Sequence, residues 1–227
     1  MKHKNVVVAI TGASGAVYAV RLVDVLLASG HQVHLSISPA AVLVLKQELD
    51  LTINLDHFNA SSLLLSSNAS DSTLEMMRSL SGIISEGSSV LSVQSGEPGQ
   101  LIYHHYQDLM APIASGSFLT AGMVICPCSG STLGAVVHGT GDSLIHRAAQ
   151  VHLKERRTLV LVPRETPLSI IQLDNMKRAA EAGAVVLPAM PGFYHGVTSI
   201  RDLVDFVVAR ICDQLGIANS LVHRWGE

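Results

Sequence analysis

Short apolar runs alternate with helical patterns along this chain, and each run ends on small or polar residues. Asn5–Thr11 reads as a buried strand, and Gly12-Ala-Ser-Gly15 follows it. A helix over Ala16–Ala28 then places Val20, Val23, Leu26 and Leu27 on one face, and Ser29-Gly30 stops it. Gln32–Ile37 is the second strand. Ser38-Pro39 opens a helix running to Glu48, because serine suits the cap and proline the first turn. Further on, Leu101–Tyr106 is regular again, and Ala114-Ser-Gly-Ser117 reads as a loop entering a helix. Met123–Pro127 is a strand ending in Cys128-Ser129-Gly-Ser-Thr132, with helices over Leu133–His138 and Ser143–Lys154 after it. Leu159–Val162 is a strand, Ser169–Ala182 a helix and Ala184–Leu187 the last strand. Ser199–Leu215 closes the pattern as an amphipathic helix, with Ile200, Leu203, Val204, Val207, Val208 and Ile211 inward and Gly216 as its stop. This alternation predicts an α/β fold with a doubly wound, Rossmann-like, mostly parallel sheet.

At 227 residues the chain fits one domain spanning 1–227. The exception to its regularity is an irregular excursion at about 56–100, with thirteen serines between Ser61 and Ser95 and one helix expected near Leu74–Leu80. Charged residues make up 15% against 48% hydrophobic, too little charge to coat a lone sphere, which favours a homo-oligomer with apolar interfaces. A net charge of −3 without a basic stripe argues against a nucleic-acid partner. No window holds 18 uninterrupted apolar residues, and Met-Lys-His-Lys-Asn runs straight into a strand, so neither a membrane span nor a signal peptide is expected. Three cysteines, an odd number, suit a reducing cytoplasm better than a disulfide framework.

The strand ends carry the chemistry. Gly12-Ala13-Ser14, Ser38, Ser129 with Thr132, Arg164-Glu165 and Tyr194 all follow strands, and ligands of open α/β sheets sit beyond the carboxyl ends. Alone, Arg164-Glu165 is an ordinary surface ion pair and each serine an ordinary cap. Together they suit a nucleotide-like ligand, since glycine permits close approach while hydroxyls and helix-start amides hold a phosphate or polar ring. A dinucleotide is disfavoured. Tyr18 stands where a third glycine would, and Ser36-Ile-Ser-Pro39 offers no acid to grip a ribose. A mononucleotide such as FMN fits better. No metal site is expected, because Cys126-Pro-Cys128 is too short for a zinc pair and the histidines lack a ligand spacing.

Lys154 ends the helix that feeds the Leu159–Val162 strand, whereas Arg164 and Glu165 leave its far end. Four strand residues plus turns separate them by ~15–30 Å. Lys154 therefore either complements a helix C-terminus or reaches a neighbouring copy's site, and Arg147 poses the same question. Arg210 reads as a snorkelling arginine beside the apolar stripe of the last helix.

Thr11-Gly-Ala-Ser-Gly15, Ala114-Ser-Gly-Ser117, Cys126-Pro-Cys-Ser129, Arg147-Ala-Ala, Leu153-Lys-Glu-Arg-Arg157, Val162-Pro-Arg-Glu-Thr-Pro167, Pro191-Gly-Phe-Tyr-His195 and Arg224-Trp225 together resemble the UbiX-like flavin prenyltransferases. The likeness covers nearly all of the chain outside 56–100. It implies a metal-independent transferase that moves a dimethylallyl group from dimethylallyl monophosphate to N5 and C6 of reduced FMN. The product would be prenylated FMN for UbiD-like decarboxylases, made by a trimer-based homo-oligomer of the kind that also builds dodecamers. By the same resemblance, Gly12, Ala13, Ser14, Ser38, Ser129, Thr132 and Arg147 would contact FMN. Ser115, Lys154, Arg164, Tyr194 and Arg210 would surround the prenyl phosphate, with Glu48 reaching toward it. Glu165 would handle protons, Ser14 would lie near N5, and Trp225 would close over the site. Two other readings on this kind of chain are an FMN-dependent cysteine decarboxylase and a non-catalytic FMN carrier or accessory subunit.

Overall fold

Alternation within the apolar runs sets their two faces. In the computed structural model of the chain, which describes residues 4–64, 99–194, 196–224 and 226, Val6, Val8 and Ile10 of the first strand enter one core while Val7 and Ala9 enter another. The strands are β1 (Asn5–Ile10), β2 (Gln32–Ile37), β3 (Gln100–Tyr103), β4 (Gly122–Cys128), β5 (Leu159–Pro163) and β6 (Val185–Val186). They form one parallel sheet in the order β3-β2-β1-β4-β5-β6. The helices are α1 (Ala16–Ala28), α2 (Pro39–Leu49), α3 (Gly130–His138), α4 (Leu144–Lys154), α5 (Ile170–Glu181) and α6 (Ile200–Gln214). Residues of α1, α2 and α6 fill the core on one face, and residues of α3, α4 and α5 fill the other. This is the expected doubly wound arrangement. Each buried Val, Leu or Ile contributes roughly 1.5–3 kcal/mol of hydrophobic stabilisation. No helix among the described residues is long and apolar enough to cross a membrane.

Some local expectations need correction. Ala114–Ser117 does not lead into a helix. A short 3-10 turn, Pro112–Ala114, precedes it, and Ser115 is extended. The Arg157 guanidinium donates to the carbonyls of Phe118 (2.6 Å) and Gly116, drawing off acceptors that a helix would use. The third strand ends at Tyr103, short of Tyr106, although His104 N still donates to Leu35 O at 2.8 Å. Ile200, expected inward, is 53% exposed at the start of α6, whereas Asp205, further along the helix, is buried. Asp205 receives the Arg21 Nε of α1 at 2.6 Å, and Arg21 is 1% exposed. The helix expected at Leu74–Leu80 lies outside the described residues.

Candidate functional site

Strand order reverses between β1 and β4, so the connections leaving them diverge and open a crevice at the carboxyl edge. Thr11 fastens that point. Its Oγ1 donates to Pro127 O at 2.8 Å and accepts from Ser129 N at 2.8 Å, joining the ends of β1 and β4. The β4 register shifts between Ile125 and Cys128, which turns the Pro127 carbonyl toward β1, a place where a residue without an N–H is tolerated.

The next residue must be glycine. A β-carbon at Gly12 would stand 2.5 Å from that of Ala40, in the first turn of α2. Ser38 caps α2 by accepting from Ala41 N at 3.2 Å. Ser129 caps α3 by accepting from Thr132 N at 3.3 Å, and its hydroxyl also meets Thr132 Oγ1 at 3.0 Å. Gly12, Ser38, Ser129 and Thr132 share a cavity of about 520 Å³ with Tyr106 and His146 on its rim. Burial lowers the His146 pKa against an opposing pull from Asp142, and Ser143 Oγ lies 3.0 Å from its Nδ1. Two hydroxyl-capped helix starts and a glycine-backed wall form a neutral donor set that fits a phosphate or a polar ring system, as FMN requires.

The loop between Gly12 and α1 is held from two sides. Gly15 is left-handed (φ 114°), and its N–H donates to both oxygens of Glu48, at 3.1 and 2.9 Å. Ala16 N donates to the same carboxylate at 2.8 Å, so Glu48 satisfies the start of α1, which has no side-chain cap of its own. From β5, Arg164 Nε donates to Ser14 O at 3.2 Å. Arg164 also faces Tyr18, whose pKa is raised chiefly by burial, with the Cys126 thiol adding and Arg164 opposing. Glu165 accepts from Thr166 N at 3.3 Å and from Gln172 Nε2 at 3.2 Å. Gln172 cannot turn its amide round, because its carbonyl oxygen accepts from Ser169 N at 2.8 Å in a capping box at the start of α5. Thus Gly12, Ala13, Ser14, Ser38, Glu48, Ser129, Thr132, Arg164 and Glu165 gather at the carboxyl edge. Glu48 serves the loop amides there.

Of the other expected residues, Tyr194 lies in the exit from β6, where Ala189 N donates to Pro163 O at 3.0 Å, and the rest lie further off. Lys154 pairs with Glu155 at the end of α4, beside Gly116. Ser115 Oγ meets Ser117 Oγ at 2.9 Å, and Arg147 Nε donates to Ala114 O at 3.1 Å. Lys154 and Ser115 lie toward the starts of β4 and β5, whereas Arg147 is one turn into α4, next to the cavity-lining His146. Arg210 lies past the middle of α6, which ends beside Gly122 and Lys4, also at the amino edge. Arg210 is an exposed side chain whose head pairs with Asp213 at 2.9 Å. Tyr194 stacks edge-on with Phe206, centroids 5.7 Å apart. Trp225 lies outside the described residues. Sequence reasoning missed Gln172, although Ser169-x-x-Gln172 is a legible capping signature, and Asp213, for which no such signal exists.

A family model described as Flavoprotein matches residues 1–212. The "Flavin prenyltransferase UbiX" of Pseudomonas aeruginosa is 44% identical over 224 residues, covering 99% of this chain and 95% of the relative. Among solved structures, AnUbiX (PadA1) in complex with FMN and dimethylallyl pyrophosphate is 33% identical with a TM-score of 0.74, covering 100% of this chain and 99% of that one. A dodecameric FMN-dependent UbiX-like decarboxylase from Escherichia coli O157:H7 is 33% identical with a TM-score of 0.73, covering 98% and 99%.

Proposed function

The chain belongs to the Flavoprotein family, and from that premise we infer its activity: it is a flavin prenyltransferase that prenylates FMN. The observation that carries the site assignment is the fastening of Ser14 by Arg164 beside a glycine-backed, hydroxyl-lined cavity, with Glu165 oriented by Gln172 on the same edge. Gly12, Ala13, Ser14, Ser38, Ser129 and Thr132 would hold FMN. Once reduced, FMN supplies the electron-rich ring, reacting at N5 and C6, that accepts the dimethylallyl group.

The donor in this reading is dimethylallyl monophosphate. Cleaving its allylic C–O bond leaves a carbocation and a phosphate, and fixed cations stabilise the charge that develops on the phosphate. Arg164 supplies one such cation. Lys154 and Arg210, with Ser115 and Tyr194, complete the grip. Lys154, with the Ser115–Ser117 turn near it, lies toward the amino edge while Arg164 lies at the carboxyl edge, which favours a complete site drawn from more than one copy of the chain. This supports a trimer-based assembly, in keeping with the dodecameric neighbour. Glu165 passes a proton to the departing phosphate and later removes one from the ring carbon, as acid and then base. The prenylated product serves a UbiD-like decarboxylase, in a cytoplasm whose reducing conditions suit three buried free thiols.

Anaerobic incubation with reduced FMN and dimethylallyl monophosphate, followed by mass measurement of the flavin, tests this. One prenyl increment supports it. An unchanged flavin in the wild-type protein points to a carrier, and decarboxylation of a cysteine substrate to the alternative enzyme. Glu165→Gln should still bind FMN while its turnover falls about 10²–10⁴-fold; normal turnover would remove Glu165 from its role.

A further inference from the structure

We propose that Asp213 is a positioning residue that holds Arg210 and the C-terminal tail together, so that docking of the tail and readiness of Arg210 for phosphate are one event. This rests on the assignment of Arg210 to the prenyl phosphate. Asp213 lies in the last turns of α6, with its side chain 18% exposed. Its Oδ2 accepts from Arg210 NH1 at 2.9 Å and from Arg224 NH1 at 3.4 Å. Its Oδ1 accepts from Arg224 NH2 at 2.8 Å and from Asn219 Nδ2 at 3.2 Å. A carboxylate offers about four lone-pair positions, and all are used here.

The tail reaches this carboxylate by a defined route. Ile217 is buried, and Asn219 Nδ2 lies 3.5 Å from Ala209 O and 3.4 Å from Ile217 O, which ties the returning segment along α6. Arg224 is thereby brought from eleven residues away onto the acid that already holds Arg210. Two guanidinium groups this close repel each other unless an anion lies between them. Asp213 is that anion, and it leaves the cluster with one net positive charge. Arg210 commits only NH1 to Asp213, so the rest of its fork remains available for a bidentate phosphate contact. Removing the carboxylate separates the two arginines and frees the tail.

Trp225 is the single tryptophan of the chain and directly follows Arg224, so its emission reports on the tail. In full-length protein, Asp213→Ala should raise the KM for dimethylallyl monophosphate about fivefold or more, with little change in FMN affinity. Acrylamide should quench Trp225 more steeply in this variant. Arg224→Gln should do both while leaving the Arg210–Asp213 pair, and Asp213→Asn, which keeps the shape without the charge, should fall between. Retained FMN binding and far-UV circular dichroism certify the fold of each variant. Unchanged quenching in Asp213→Ala, or changed quenching with an unaltered KM, overturns the proposal. Arg210→Gln separates the two ways of failing. An unaltered KM there refutes the phosphate role and the coupling with it, whereas a raised KM beside a silent Asp213→Ala refutes the coupling alone.

Discussion

Thr11 joins the two strands whose divergence makes the crevice, using one hydroxyl as both donor and acceptor. Thr11→Val keeps the volume but strands Ser129 N without that acceptor. A loss of about 1–3 kcal/mol in urea unfolding is expected, together with weaker FMN binding, because the α3 cap shifts with Ser129. Unaltered stability and affinity would show the staple to be dispensable. At this scale the sequence showed residue types but not partners. Thr11, Gly12 and Ser14 stood out within a glycine-rich turn, yet nothing local announced that Glu48, 33 residues on, would serve Gly15. Gln172 was legible only as a cap, and its second bond to Glu165 emerges from the way α5 begins beside β5.

Helix α1 meets α6 through a buried charge cluster that periodicity hid. The stripe of α6 was readable from Val204, Val207, Val208 and Ile211, whereas nothing local marked Asp205 as buried, because its partner, Arg21, is 184 residues away. Asp205→Ala should destabilise by up to about 3–5 kcal/mol, because the buried Arg21 cation keeps only Asp24, 2.7 Å from its NH1, as an acidic partner. An Arg21→Met, Asp205→Leu double variant should recover most of that loss in the same unfolding assay. A second pairing between elements is set by pH. His34 Nδ1 of β2 lies 3.0 Å from His104 Nε2 just past β3, with Phe118 edge-on to His34. Burial, assisted by His104, lowers His34 to about 4. Burial also lowers His104, against Asp108. Both bases bind protons more readily when unfolded. Their contribution is therefore fully present above pH ~6.5 and is lost as pH falls toward 4, up to about 3 kcal/mol for His34. Urea midpoints between pH 7 and 4.5 check this, and His34→Phe should flatten the slope.

Across the whole molecule, the α/β class, the six α-helices among the described residues and the shared carboxyl edge could be read from alternating periodicities and strand-exit residues, although the helix expected after Ala114–Ser117 does not form. The strand order could not, since pairing depends on contacts between segments far apart in the chain. Nor could the outward side of α5. Ile170 is 82% exposed and Ile171 70% exposed on the same turn that presents Gln172 to Glu165. Apolar side chains so exposed beside Glu165 and its Gln172 partner suit burial by a neighbouring copy. Specific activity should therefore fall on dilution together with the oligomer seen by sedimentation velocity, and Ile171→Glu should move that transition to higher protein concentration. Full activity in a monomer would show that one chain suffices.

The clasp on the Gly12–Gly15 turn, with Glu48 on its amides and Arg164 on the Ser14 carbonyl, has a kinetic corollary. Every bond in it joins groups of the chain itself, so this turn is already in place for an arriving flavin and adds no slow rearrangement of its own. Stopped-flow mixing should yield a single phase whose rate climbs linearly with FMN, and Glu48→Leu should introduce a second, saturating one.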